Sequence, residues 1–283
     1  MRLDESRESQ NIEDRRGAGP RFGGRGTVGV GTIVLALVAM YFGVDPAVVL
    51  QMADEPAQTQ QVPAQQPDAA DTQATFVARV LGETEDTWQE IFQEHARVPY
   101  TDPRLVLFTG ATPTACGTGQ AAMGPFYCPA DSKVYIDLGF FEEMKRRFNA
   151  PGDFAQAYVI AHEVGHHVQH LLGISDQVDR LRRQSPQQAN ALSVRQELQA
   201  DCFAGLWANH ANATHRILED GDVEEALNAA SAIGDDRLQK QAQGYIVPDA
   251  FTHGTSAQRV RWFKRGLESG DLKQCDTFGA AQL

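Results

Sequence analysis

The chain has 283 residues, of which 42% are hydrophobic, and a formal net charge of −12. This length suits one folded domain of about 200 residues with a sizeable core. The acidic balance argues against a nucleic-acid partner, because such a partner would need a basic protein face.

The first predicted element is an apolar segment at residues 26–44, which carries no charged residue. As a helix it would span about 28 Å, close to one bilayer core. Arginines are frequent before it, and no Lys or Arg follows until Arg79. The positive-inside rule therefore predicts a single-pass inner-membrane protein, with residues 1–25 in the cytoplasm and the remainder in the periplasm. A cleaved signal peptide is the alternative, which the long polar leader disfavours.

Residues 45–74 are predicted to be a flexible linker. They are rich in Gln, Ala, Pro and Asp and have few large apolar residues, so they cannot bury enough surface to fold. One folded domain is predicted to cover residues 75–283.

This domain is predicted to be α+β and predominantly α, with a small β-sheet. Hydrophobic periodicity and capping residues indicate its elements. In chain order they are a helix over 76–96, strands over 105–108 and 133–137, a helix from Asp153 as N-cap to Gly173, a helix from Ser185 as N-cap, and helices over 223–243 and 256–267.

Residues 162–166, His-Glu-Val-Gly-His, lie in an apolar run that predicts a buried helix. Positions i and i+4 share one helix face, so His162 and His166 can bind a single metal ion. Glu163 then lies beside the metal, where a zinc-bound water needs a base. The neighbouring His167 and His170 fit this pattern poorly, so we expect them to be packing or surface residues.

A second motif, Glu-Leu-Gln-Ala-Asp at 197–201, supplies a candidate third ligand. Two His and one Glu form an established catalytic zinc set, which predicts Glu197 as that ligand. Asp201 lies on the same helix face as Glu197. It is predicted to accept a hydrogen bond from the N–H of a ligand histidine, with His162 as the favoured partner. The longer metzincin pattern fails, because Gln169 and Leu172 occupy its glycine and third-histidine positions.

Three stretches, HEVGHHVQHLLG, ELQADCFAG and FTHGTSAQRVRWF, resemble the bacterial neutral zinc metallopeptidases, with a gluzincin-type HExxH and ExxxD arrangement. The resemblance covers the whole chain. It implies a zincin-like fold and a membrane-anchored zinc endopeptidase with one Zn²⁺ and a protein or peptide substrate. By analogy with gluzincins, the strand at 133–136 is a candidate to pair with an extended substrate; an ordinary edge strand is the alternative.

In such a site a zinc-activated water attacks the peptide carbonyl, with Glu163 as general base. A further donor is needed for the developing oxyanion. His253, in the third stretch, is the candidate donor; the alternative is that it caps the following helix. Tyr245 is a weaker candidate, while Arg259 and Arg261 are expected either to orient carboxylate or backbone groups or to be solvated.

The four cysteines, Cys116, Cys128, Cys202 and Cys275, fit an oxidising compartment. Bridges within the first two and within the last two are attractive, but three pairings are open and isolated thiols are an alternative. No CxxC spacing occurs, which disfavours a four-cysteine zinc site.

Two other functions stay open on the sequence alone. One is a non-proteolytic, zinc-stabilised envelope binding or assembly factor, and the other is a zinc amidase acting on cell-wall peptides. Glu163 argues against the first, because a structural zinc site needs no base and fills all four positions with protein ligands.

Overall fold

The computed structural model describes residues 1–17, 67–68 and 70–283. Helices dominate and the sheets are small, which confirms the predicted α+β class. The strands are β1 (Ile12–Asp14), β2 (Arg104–Phe108), β3 (Ala111–Thr114), β4 (Gly117–Gln120), β5 (Phe126–Cys128) and β6 (Lys133–Asp137). The helices are α1 (Thr72–His95), α2 (Gly139–Arg147), α3 (Asp153–Leu171), α4 (Ile174–Gln184), α5 (Ala189–His215), α6 (Asp222–Ala232), α7 (Asp235–Gln243) and α8 (Ser256–Ser269).

The main sheet has the strand order β1-β2-β6-β5. Strands β1, β2 and β6 are parallel, while β5 runs antiparallel to β6. Strand β6 is thus paired on both sides, and the prediction that residues 133–136 form a free edge is wrong. The short return from β5 to β6 supplies the second partner, so among the described strands β1 and β5 lie at the edges. Strands β3 and β4 form a separate hairpin.

The first 14 residues pack against the body of the protein. Strand β1 pairs with β2, and Leu3 and Ile12 are buried in the common core. Arg7 binds Asp86 through two nitrogens, at 3.0 and 2.7 Å. Residues 1–14 and the described residues from 67 onward therefore belong to one compact unit. The sequence interpretation had set residues 1–25 apart from this domain, because a three-residue strand leaves no periodic signal.

The predicted membrane span at 26–44 lies outside the described residues, as does most of the predicted linker at 45–74. Helix α1 begins at Thr72, within the C-terminal end of that linker, where the side chain of Asp71 accepts bonds from the backbone N–H groups of Gln73 and Ala74. None of the helices that the structure describes combines the length and apolar character needed to cross a bilayer. The membrane anchor stays a prediction.

Glycines allow the three helices around the site to approach closely. On Gly165, between the two motif histidines, an added Cβ would lie 3.1 Å from the carbonyl oxygen of Ala200 on α5. On the other side of α5, a Cβ on Gly205 or Gly266 would overlap the backbone of the facing helix. Helix α5 is therefore held tightly between α3 and α8, which fixes how their side chains meet.

Several helix ends differ from the predicted ones. Helix α3 has Gly152 rather than Asp153 at its N-cap, and the Asp153 carboxylate instead accepts from the amino group of Met1 at 2.8 Å. Ser185 precedes only a short 3₁₀ turn, and α5 starts at Ala189. The helix predicted over 223–243 is broken near Gly234, where a Cβ would lie 2.4 Å from the backbone nitrogen of Ser256. Helices α2 and α4 were not predicted.

Two disulfides join the cysteines in the order favoured by the sequence. Cys116 and Cys128 close the β3–β5 region, with a sequence separation of 12 residues. Cys202, on α5, is bridged to Cys275 in the C-terminal segment, at a separation of 73 residues. The second bridge ties the end of the chain to the helix that carries the Glu-x-x-x-Asp motif.

Candidate metal centre

His162, His166 and Glu197 come together between α3 and α5. Nε2 of His162 lies 3.2 Å from Oε2 of Glu197, and Nε2 of His166 lies 3.5 Å from Oε1 of the same carboxylate. A tetrahedral zinc site with bonds of about 2.0–2.1 Å has its ligand atoms about 3.3 Å apart. The three side chains therefore fit a zinc ion in both donor type and spacing, and they form one group of potential metal-binding residues.

The other ring nitrogens of both histidines are engaged away from this centre. Nδ1 of His162 donates to Oδ1 of Asp201 at 2.9 Å, as the sequence predicted. Nδ1 of His166 donates to the side-chain oxygen of Gln169, also at 2.9 Å. Since a carboxylate and an amide oxygen only accept, each imidazole keeps a hydrogen on Nδ1, and its Nε2 is the atom available to a metal ion.

Asp201 is fully buried and is surrounded by donors. Arg259, also buried, donates to both of its oxygens at 2.8 Å, and the hydroxyl of Tyr158 donates to Oδ1 at 2.5 Å. Burial would raise the pKa of the Asp201 carboxyl, but the charges of Arg259 and His162 lower it to about 2. Asp201 is thus held as an anion that can only accept from His162. Of the two arginines considered, Arg259 has the orienting role, whereas Arg261 bonds to the carbonyl of Leu283.

The charges around the centre favour cation binding. Burial alone would lower the pKa of His162, but Asp201 and Glu197 raise it to about 9. Burial would raise the pKa of Glu197, whereas the two histidines hold it well below its usual value. The metal-free site therefore stabilises positive charge, carried by protons that a metal ion has to displace.

Glu163 directly follows the first ligand candidate on α3 and is buried, with 8% of its surface exposed. Burial lowers the pKa of His166, whereas the carboxylates of Glu197 and, to a smaller extent, Glu163 raise it. The charge of Glu163 therefore acts on His166, although Glu163 is not one of the three potential metal-binding residues.

His253 lies in the loop before α8 with its side chain half exposed. Its Nδ1 donates to Oδ1 of Asp235 at 3.2 Å, and the backbone N–H groups of Thr252, His253 and Gly254 donate to Oδ2. A Cβ on Gly254 would lie 3.3 Å from Leu198 of α5, so this loop packs against the residue that follows Glu197 in the chain. Within the part of the chain that the structure describes, no hydrogen bond or ring contact joins His253 to the metal-binding group.

The remaining histidines of the motif face β5. His167 is buried and donates from Nε2 to the carbonyl of Thr101, at 2.6 Å; burial lowers its pKa to about 4. The hydroxyl of Tyr127 lies between Nδ1 of His167, at 3.0 Å, and Nδ1 of His170, at 2.7 Å. This cluster fastens the edge strand to α3, in line with the predicted packing role. Tyr245 is 62% exposed.

Sequence reasoning missed four partners of this centre: Tyr158, Gln169, Gln199 and Asp235. Tyr158 lies one turn before His162, and Gln169 lies three residues after His166, so helical spacing could have indicated both. Asp235 and its loop are brought together by tertiary folding, for which the sequence carries no local signal.

Comparison with known proteins agrees with the geometry. The family described as "Putative neutral zinc metallopeptidase" matches residues 1–278. The uncharacterized protein YpfJ of Escherichia coli K12 is 53% identical over 288 residues, covering 99% of both chains. An uncharacterized protein of Mycobacterium tuberculosis is 45% identical over 194 residues, or 65% of both chains. No solved structure matches the chain. The chain belongs to the neutral zinc metallopeptidase family.

Proposed function

We propose that this protein is a zinc-dependent endopeptidase whose single Zn²⁺ is held by His162, His166 and Glu197. The observation that carries the proposal is the convergence of two Nε2 atoms and one carboxylate at 3.2 and 3.5 Å. Three protein ligands leave one position for water or substrate, as in catalytic rather than structural zinc sites.

Zinc, when bound, would polarise the scissile carbonyl and lower the pKa of water to about 7. Glu163 is the general base: its carboxylate takes a proton from the attacking water and returns that proton to the leaving amine. Glu163 is buried and directly follows His162 on α3, which supports this role.

His253 is proposed as the donor to the oxyanion. Its hydrogen bond to Asp235 fixes the ring, and as an imidazolium it would offer Nε2–H to the developing charge. The loop is held by three backbone hydrogen bonds to the same carboxylate and packs against Val194 and Leu198 of α5.

Strand β5 replaces β6 as the proposed site for an extended peptide. It lies at the edge of the sheet, and Tyr127 connects it to α3 through His167 and His170. Added main-chain hydrogen bonds at this edge would hold a substrate regardless of most of its side chains. The two disulfides favour an oxidising compartment for the body of the enzyme.

The test is cleavage of an unbiased peptide library by the purified full chain, with and without a metal chelator. We expect cleavage that the chelator abolishes and added zinc restores. Glu163→Gln should keep zinc bound and lower turnover by about 10²- to 10⁴-fold, the usual contribution of a general base. Glu142→Gln, on the exposed face of α2, is the matched control. Full activity of Glu163→Gln would remove the proposed base, and a zinc-loaded wild type that cleaves no peptide would remove the endopeptidase assignment.

A further inference from the structure

A chain of buried side-chain amides runs from His166 to the C-terminal segment. Gln169 accepts from Nδ1 of His166 at 2.9 Å and donates to the side-chain oxygen of Gln199 at 3.1 Å. Gln199 in turn donates to the backbone carbonyl of Cys275 at 3.0 Å. Gln169 is fully buried and Gln199 is 5% exposed, so water is largely excluded from this chain of bonds.

The direction of every bond in this chain is fixed at its far end. The carbonyl of Cys275 can only accept, so Gln199 must turn its NH₂ group towards it and its oxygen towards Gln169. Gln169 then points its own NH₂ group at Gln199, and also at the carbonyl of Gln196, 2.7 Å away. Only the oxygen of Gln169 is left for His166, which must therefore carry its hydrogen on Nδ1.

The far end of the chain is itself held firmly. Cys275 is bridged to Cys202, the residue after Asp201. Two residues beyond Cys275, the Thr277 hydroxyl donates to the carbonyl of Arg195 on α5 at 2.6 Å, and Arg195 donates back to the carbonyl of Thr277. The segment thus presents a fixed acceptor to Gln199.

We propose that Gln169 and Gln199 are positioning residues that set the tautomer and ring orientation of His166 from the disulfide-anchored C-terminal segment. They do for His166 what Asp201 does for His162, with neutral amides in place of a carboxylate. The inference rests on the proposed function because it concerns the same metal ion. An ordinary buried glutamine pair would stabilise the helices but would leave metal binding unchanged.

The test measures zinc affinity by chelator competition on the full chain with its disulfides intact. Gln169→Met keeps the volume of the side chain but leaves the Nδ1 hydrogen of His166 without an acceptor. We expect its zinc affinity to fall by about 10- to 100-fold, as for other residues that support a metal ligand. Gln199→Met should give a smaller loss, because Gln169 keeps its bond to the Gln196 carbonyl. The absorption spectrum of the cobalt-substituted protein should change in the same order.

The matched control is Gln196→Met. The Gln196 side chain bonds to Ser175 and Arg182 and takes no part in the chain of amides from His166 to Cys275. The zinc affinity of the Gln196→Met variant should therefore equal that of the wild type. Wild-type affinity and cobalt spectrum in Gln169→Met would overturn the proposal. If that variant does not fold, Gln199→Met decides: an affinity equal to that of Gln196→Met overturns it. A wild-type protein that binds zinc but cleaves no peptide would refute the proposed endopeptidase function. The role of Gln169 and Gln199 would still be decided by the zinc affinities of the variants.

Discussion

Arg259→Met should destabilise the metal-free protein by about 3 kcal/mol. The substitution keeps much of the side-chain volume but deprives the Asp201 carboxylate, which has no exposed surface, of the guanidinium that donates to both of its oxygens. Removing one member of a buried ion pair costs about 3–5 kcal/mol. The pKa of Asp201 gives a consistent figure: burial opposes ionisation, yet Arg259 and His162 lower the pKa from 3.8 to about 2, which corresponds to about 2 kcal/mol.

The free energy of unfolding is measured in denaturant with both disulfides intact, with Arg261→Met as control. Arg261 lies on the same helix and bonds to a terminal carbonyl, so we expect its loss to change stability by less than about 0.5 kcal/mol. Adding Asp201→Asn to Arg259→Met should recover part of the loss, because a neutral amide leaves no buried charge. The lowered pKa of Asp201 stabilises the wild type above about pH 4, and this contribution disappears as the pH falls towards 2. The deficit of Arg259→Met should therefore shrink over that range. A loss no larger than that of Arg261→Met would refute the account of Asp201 as a buried anion held by Arg259.

Three further predictions concern the metal, the oxyanion and the disulfides. Because the pKa of His162 is raised to about 9 in the metal-free protein, zinc must displace its proton. The zinc affinity should therefore weaken as the pH falls below 9. Calorimetry in buffers of different ionisation heat should detect the proton release. His253→Ala should lower turnover by about 10²- to 10³-fold with zinc affinity unchanged, and a parallel loss of zinc would contradict the donor role. Replacing Cys202 and Cys275 together by Ser should cost about 4 kcal/mol in thermal unfolding, against about 3 kcal/mol for the shorter loop of the other bridge. Equal losses would count against the loop-entropy reasoning.

The centre of the site could be predicted because its residues follow helical spacing. His162 and His166 are four residues apart on one helix, and Glu197 and Asp201 are four apart on another, so each pair had to share a face. Which carboxylate would bind the metal and which would orient a histidine followed from zinc chemistry. The structure brings these side chains together as expected, although their roles as ligands stay predictions.

The parts that the sequence did not indicate depend on distant contacts. The bond between Asp235 and His253 joins residues on either side of a loop, and the pairing of β1 with β2 joins residues about 90 positions apart. Strand β6 carried a strand pattern, but the pattern could not show that β5 would cover its second edge. Gln169 was noticed only as a departure from the metzincin motif, whereas its position three residues after His166 gives it a role as acceptor.

The pairing of β1 with β2 also limits how the chain can thread a bilayer. Hydrogen-bonded strands must occupy one compartment, so residues 1–14, when docked, and the described residues from 67 onward lie on a common side of any membrane. The predicted single crossing at residues 26–44 would separate these two parts of the chain, so it requires β1 to be undocked from β2.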